Sequence, residues 1–293
     1  MTDLSSINPE CLWDLKGILL EGATWDAERA VLWFVDIKKR YIHRLDPNTG
    51  TRDTWGAPDQ PGFVLPRQGG GLVVGMPHGL HQFDPATGSF APLVSVETDR
   101  TGNRLNDGFT DATGRVWFGS MDDAEKADSG AFYRWTGGEP ARILDGICIT
   151  NGPATSPDGT ILYHTDTLAQ TVYAADILPD GSIANRRTFA KIGENDGYPD
   201  GMAVDSEGCV WVALFFGQSI RRYAPDGTLL GAVPMPVSNI TKLAFGGPDL
   251  RTVYVTTASK GLSDQERMEQ PLAGGLFSFQ SPVAGLPPAK VRA

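Results

Sequence analysis

Residues 197–214 read GYPDGMAVDSEGCVWVAL. Asp200-Gly201 opens the stretch and a short alternating run follows. Ser206-Glu207-Gly208 has turn chemistry, and Cys209 to Leu214 is an apolar run of strand length. The same order of features recurs upstream. Asn151-Gly152 opens NGPATSPDGTILYHTD, Asp107-Gly108 opens DGFTDATGRVWFGS, and Glu21-Gly22 opens EGATWDAERAVLWFVD. In each, a side chain with a ligating oxygen precedes a glycine, and a strand, a turn and a second strand follow. Equivalent positions in repeated units lie at equivalent places in space, so these four side chains are expected to converge.

Working outward, six short apolar runs rich in β-branched and aromatic residues can be aligned on Trp33, Val73, Trp117, Tyr163, Trp211 and Tyr254, at intervals of 40, 44, 46, 48 and 43 residues. A four-stranded propeller blade takes roughly 40–50 residues. A further strand follows each run and leads into turn clusters such as DPNTG, DPATG and APDG, where proline presets φ and glycine accepts positive φ. The fold expected is therefore all-β: a six-bladed β-propeller of four-stranded blades, occupying residues 1–293 as a single domain. The stretch Glu10–Leu15 precedes the first repeat and has strand character, so it is expected to join the last blade beside Gly275–Phe279. Leu262–Gln270 is the exception, a polar stretch suited to one or two helical turns. An unclosed β-sandwich is the competing fold, and the regular period argues against it.

Composition excludes several functions. With 25 Lys and Arg against 35 Asp and Glu the net charge is −10, which repels phosphate backbones and anionic lipid. No nucleic-acid or membrane partner is expected, and no apolar run approaches the roughly 20 residues that span a bilayer. Cys11, Cys148 and Cys209 form no zinc pattern and no disulfide framework, and the N-terminus lacks the basic and apolar regions of a signal peptide. A reducing, cytoplasmic location is expected. Gly69-Gly70-Gly71 precedes a strand and not a helix, so it is no phosphate cradle, and no G-x-S-x-G elbow is present. The four histidines share no metal-ligand spacing, and His164 reads as a packing residue.

In a propeller the innermost strands line the central channel. Glu21, Asp107, Asn151 and Asp200 would then stand at one level on the axis. Blade two has Pro61-Gly62 there, and blade six, near Asn239–Lys242, lacks the glycine. Carboxylates with an amide oxygen at the end of a narrow channel suit a divalent cation. The ordinary reading of each Asp-Gly or Asn-Gly pair is a turn. However, the hairpin turns are separately occupied by pairs such as Asp158-Gly159 and Asp226-Gly227.

These motifs resemble those of the senescence-marker-protein/gluconolactonase/regucalcin family: EG at 21–22, RLNDG at 104–108, NG at 151–152, and YPDG followed by VDSEGCVWVA within 198–213. The resemblance runs from Cys11 to Phe279. KGLSDQERMEQPLAGGLF, at 260–277, further resembles bacterial pentonolactonases of the xylonolactonase type. The resemblance implies metal-dependent hydrolysis of a sugar lactone, a pentonolactone such as xylonolactone or arabinonolactone, to the aldonic acid. It implies one divalent cation (calcium, zinc, manganese, magnesium or iron(II)) held by Glu21, Asn151 and Asp200. By residue chemistry, Asp200 or a hydroxide on the metal is the candidate for catalytic proton transfer. It assigns substrate contact to Arg104 and Asn106. At Ser120-Met121-Asp122-Asp123 some relatives place a substrate-binding glutamate, and Asp123 is the nearest match. Tyr198 is a candidate to pack against the sugar ring, and Phe215 and Phe216 are further candidates to flank the channel. A hexonolactonase, a phosphotriesterase-like hydrolase, and a non-enzymatic propeller that binds calcium or a protein are the alternatives.

Overall fold

The computed structural model describes residues 3–293. Six four-stranded antiparallel sheets each follow chain order from the inner to the outer strand, with one exception. The inner strands are Leu20–Asp26, Phe63–Pro66, Asn103–Thr110, Thr150–Thr155, Tyr198–Val204 and Ile240–Gly246, which define blades one to six. The exception is blade six, whose outermost strand is Glu10–Trp13. It pairs antiparallel with Leu276–Gln280, Cys11 opposite Phe277. The chain therefore closes its ring by joining its first strand to its last blade, as the sequence leads one to expect. The polar stretch before Leu276 forms a short helix, Asp264–Glu269, started by a capping box between Ser263 and Glu266.

Burial explains why the second strand of each blade reads as a continuous apolar run. Every residue of Val31–Asp36 and of Leu72–Met76 is buried, because each sheet is covered on both faces by neighbouring blades. The outer strand Arg52–Gly56 alternates instead between exposed and half-buried residues. Trp33, Trp117 and Trp211 fill equivalent positions and are fully buried. In blades three and five the sequence pattern D-x-x-G-x-V-W has a physical basis. Asp111 and Asp205 accept the turn amides with one carboxylate oxygen. With the other they accept the indole N–H of Trp117 and Trp211, each at 2.8 Å. One aspartate thus closes the hairpin and satisfies the tryptophan packed beneath it.

The last residues cross the far end of the channel. Gly285 N donates to Leu250 O, Ser206 N to Ala284 O, Val291 N to Pro66 O and Arg292 N to Gly114 O, so this segment ties blades six, five, two and three together. Leu286, Pro287, Pro288 and Ala289 cover an apolar chamber of about 260 Å³ there. No helix among the described residues is long and apolar enough to cross a membrane.

Candidate metal and substrate site

Five of the six inner strands break register at the same place. The shifts fall between Glu21 and Thr24, Leu105 and Gly108, Asn151 and Ala154, Pro199 and Met202, and Ile240 and Lys242. Phe63–Pro66, which follows Pro61-Gly62, pairs regularly. A bulge inserts a residue and re-aims its side chain. Here the re-aimed side chain is the one before the repeated glycine, and it turns toward the axis. Gly22 and Gly152 hold φ of 62° and 60°, conformations that disfavour a Cβ.

The bulges open onto a cavity of about 240 Å³ whose walls include Glu21, Arg104, Asn106, Asn151, Tyr198 and Asp200. Glu21 and Asp200 are both buried on the wall of this cavity. Burial pushes both carboxyls far above the usual range. The Asp107 charge adds to this, as does that of Glu21 on Asp200, while Lys242 opposes it. Asp200 Oδ1 is buried without a hydrogen-bond partner. The Asn151 amide is fixed on both sides. Its Nδ2 donates to Thr167 Oγ1 at 3.1 Å, and its Oδ1 accepts from Asn106 Nδ2 at 2.7 Å.

This donor set fits a divalent cation. Two buried acids repel one another, one of their oxygens has no partner, and an oriented amide oxygen stands beside them; a bound cation would relieve each of these costs. With only two acids in the set, no cluster of three or more His, Cys, Asp or Glu suited to a metal occurs among the described residues.

Beneath the cavity lies a group that the sequence reading missed. Lys242 occupies the blade-six bulge and donates through Nζ to Asp107 Oδ2 at 2.6 Å, both side chains being almost wholly buried. Asp107 also accepts the amides of Gly108 and Gly152, at 2.8 and 2.9 Å. Its carboxylate is thereby used in holding the floor together, and it does not line the cavity. Lys242 stands in the same register as the acids, so the repeat alignment was the signal that could have found it.

Arg104 is buried beside the acids. Its Nε donates to Asp123 Oδ1 at 2.6 Å and its Nη1 to Asn106 Oδ1 at 2.5 Å, while Nη2 has no hydrogen bond among the described residues. Asn106 also donates to Thr150 O at 2.7 Å. Asp123, the candidate substrate contact, is engaged by neighbouring side chains. Its carboxylate faces Arg104, Lys38 and Gln60, and it does not line the cavity. Although burial opposes it, Lys38 and Arg104 hold this carboxyl down to about 2. The acid on the cavity wall is Glu125, two residues on, paired with Lys260. Tyr198, Phe215 and Phe216 also line the cavity. His164 is fully buried away from it and accepts from Arg186 Nε at 3.1 Å, as a packing histidine would.

The closed six-bladed propeller thus brings acids, an amide and an arginine together at one end of its channel. The chain belongs to the SMP-30/gluconolactonase/LRE-like family, whose model matches residues 19–259. An L-arabinolactonase from Azospirillum brasilense is 35% identical over 95% of this chain and 94% of its own length. A 6-deoxy-6-sulfogluconolactonase from Pseudomonas putida is 32% identical over 94% of this chain and 96% of its own. Among solved structures, a calcium-binding regucalcin from Agrobacterium tumefaciens superposes with a TM-score of 0.95 at 26% identity, over all of both chains.

Proposed function

We propose that this protein, acting as one propeller domain over residues 1–293, hydrolyses a five-carbon sugar lactone to its aldonic acid with the help of one divalent cation. The observation that carries this reading is the buried Glu21–Asp200 pair, with its orphaned Asp200 Oδ1, facing a cavity of sugar size. Lactonases among the relatives act on sugar lactones, which supports the substrate class.

Glu21, Asn151 and Asp200 would hold the cation. When bound, a divalent ion at such a site supplies Lewis acidity to an ester carbonyl and makes water easier to deprotonate. Arg104 Nη2, which has no hydrogen bond among the described residues, donates to the oxygen that gains negative charge as water adds to the carbonyl carbon. Asp123 keeps the guanidinium in that orientation. The Asp200 carboxylate takes the proton of the attacking water and returns it to the ring oxygen as the ring C–O bond breaks. Asn106 aligns Arg104 and Asn151 at once. Tyr198 packs against the sugar ring.

The test is a panel of pentono- and hexonolactones, with a phosphotriester included. It is assayed after chelation and after return of calcium, zinc, manganese, magnesium or iron(II) in turn, with spontaneous hydrolysis subtracted. Loss of turnover on chelation and its return with one metal are expected, with the fold intact by circular dichroism. Full turnover in verified metal-free protein, or a phosphotriester preferred over every lactone, would overturn the reading.

A further inference from the structure

Blades three and six stand opposite each other in the six-bladed ring. Each sends one charged side chain over the cavity. Glu125 follows the strand Val116–Asp122, and Lys260 follows Thr252–Thr257. The two meet as an ion pair, and both line the cavity wall.

Each end of this pair is anchored by backbone. Asp122 accepts the amides of Lys126 and Ala127, both at 2.9 Å, so the turn projects Glu125 inward with a φ of 59°. A left-handed glutamate is sterically costly and is kept only where its surroundings impose it. Lys260 N donates to Ile18 O at 2.9 Å, and Lys260 O accepts from Asn239 Nδ2 at 2.8 Å. On the neighbouring rim, Phe216 lies so close to Gly261 that a Cβ there would meet the ring at 2.9 Å. Ring, glycine and lysine therefore share one side of the mouth.

The geometry points to Glu125–Lys260 as the determinant of substrate length. A latch spanning the diameter of the mouth limits how far a substituent on the lactone ring can rise from the floor. A five-carbon lactone carries a short exocyclic arm, or none, and fits beneath the intact pair. A six-carbon lactone carries a longer hydroxylated arm in the same direction and must displace an ammonium from a carboxylate to enter. A steric difference of one carbon in a pocket is worth roughly 10–200-fold. This inference rests on the lactonase reading for its substrate, and its test is built to separate the two.

Binding is measured by titration calorimetry of the manganese-loaded protein with a five-carbon and a six-carbon aldonolactam, which resist hydrolysis; kcat/KM for the matching lactones is measured in parallel. Wild type is expected to favour the shorter ring. Glu125→Ala and Lys260→Met should each raise the six-to-five ratio by about tenfold, with manganese affinity unchanged. The double reversal Glu125→Lys with Lys260→Glu should restore discrimination, which mere loss of packing would not. If lactams show this pattern while no lactone turns over, the latch stands and the hydrolase reading falls. A ratio unmoved by both single substitutions, or no lactam binding at all, would overturn the latch.

Discussion

Lys242→Met is the perturbation that most directly probes the floor of the site. Methionine keeps an unbranched apolar stem and removes only the ammonium. The Asp107 carboxylate then remains buried with two backbone donors, Gly108 N and Gly152 N, and no cation. Breaking a buried ion pair from one side costs about 3–5 kcal/mol, and the two amides place the expectation at the lower end. The same change should strengthen metal binding. Lys242 favours the ionised forms of Glu21 and Asp200 in the empty site, yet its charge repels an incoming cation. With it gone, affinity for manganese should rise by on the order of tenfold, the size of effect that one charge exerts through a medium of intermediate dielectric. Stability is read by urea unfolding in chelator, and affinity by calorimetric titration. Adding Asp107→Asn removes both charges, so stability should recover most of the loss and affinity should fall back. A single variant that loses less than about 1 kcal/mol and binds manganese as wild type does would refute the reasoning.

Three further outcomes are expected. Asp200→Asn should weaken metal binding, and kcat at saturating metal should stay low by roughly 10²–10⁴-fold; full activity with unchanged metal content would remove Asp200 from the chemistry. Arg104→Ala should lower kcat/KM for lactones by about 10–150-fold, the equivalent of a lost charge-assisted hydrogen bond of roughly 1.5–3 kcal/mol, with metal affinity preserved; wild-type kinetics would exclude Arg104. His43, buried among Trp13, Phe34 and Tyr41, has its pKa lowered to about 4, chiefly by burial. The unfolded chain therefore binds the extra proton between about pH 6.5 and 4. This contribution to stability is complete above that window and lost as pH falls through it, about 3 kcal/mol in all. His43→Gln should flatten the acid limb of stability against pH, and an unchanged limb would show that His43 is not its source.

The repeat spacing made the propeller legible because each blade is the same supersecondary unit, and its second strand is apolar on both faces. The first strand could be assigned to the last blade because its sequence lay outside the first repeat. Glu21, Asn151 and Asp200 could be picked out because the bulge that aims them coincides with an Xaa-Gly pair visible in the sequence. Lys242 escaped notice for the converse reason: its bulge needs no glycine. Glu125 and Lys260 lie in connections between strands, and their meeting depends on the diameter of the ring, which no local pattern encodes. Asp123 was assigned to substrate because of its place in a motif. The motif gave no sign of the two cations from blades one and three that pair with it.

The joined blade has a consequence for the order in which the molecule assembles. Lys242 and Lys260, which set the charge of the floor and close the mouth, both belong to blade six. That blade alone draws strands from both ends of the chain, so during synthesis Glu10–Trp13 must wait, unpaired, until Leu276–Gln280 has emerged. Pairing segments so distant in sequence carries a loop-closure cost and tends to slow folding. A nascent chain can complete blades one to five and already hold the two acids, but it lacks the cations that discipline them. Catalytic competence would thus arrive in one step with the final closure, and incomplete chains would emerge as acidic propeller fragments with a bare strand edge, suited to capture by chaperones or proteases rather than to turnover.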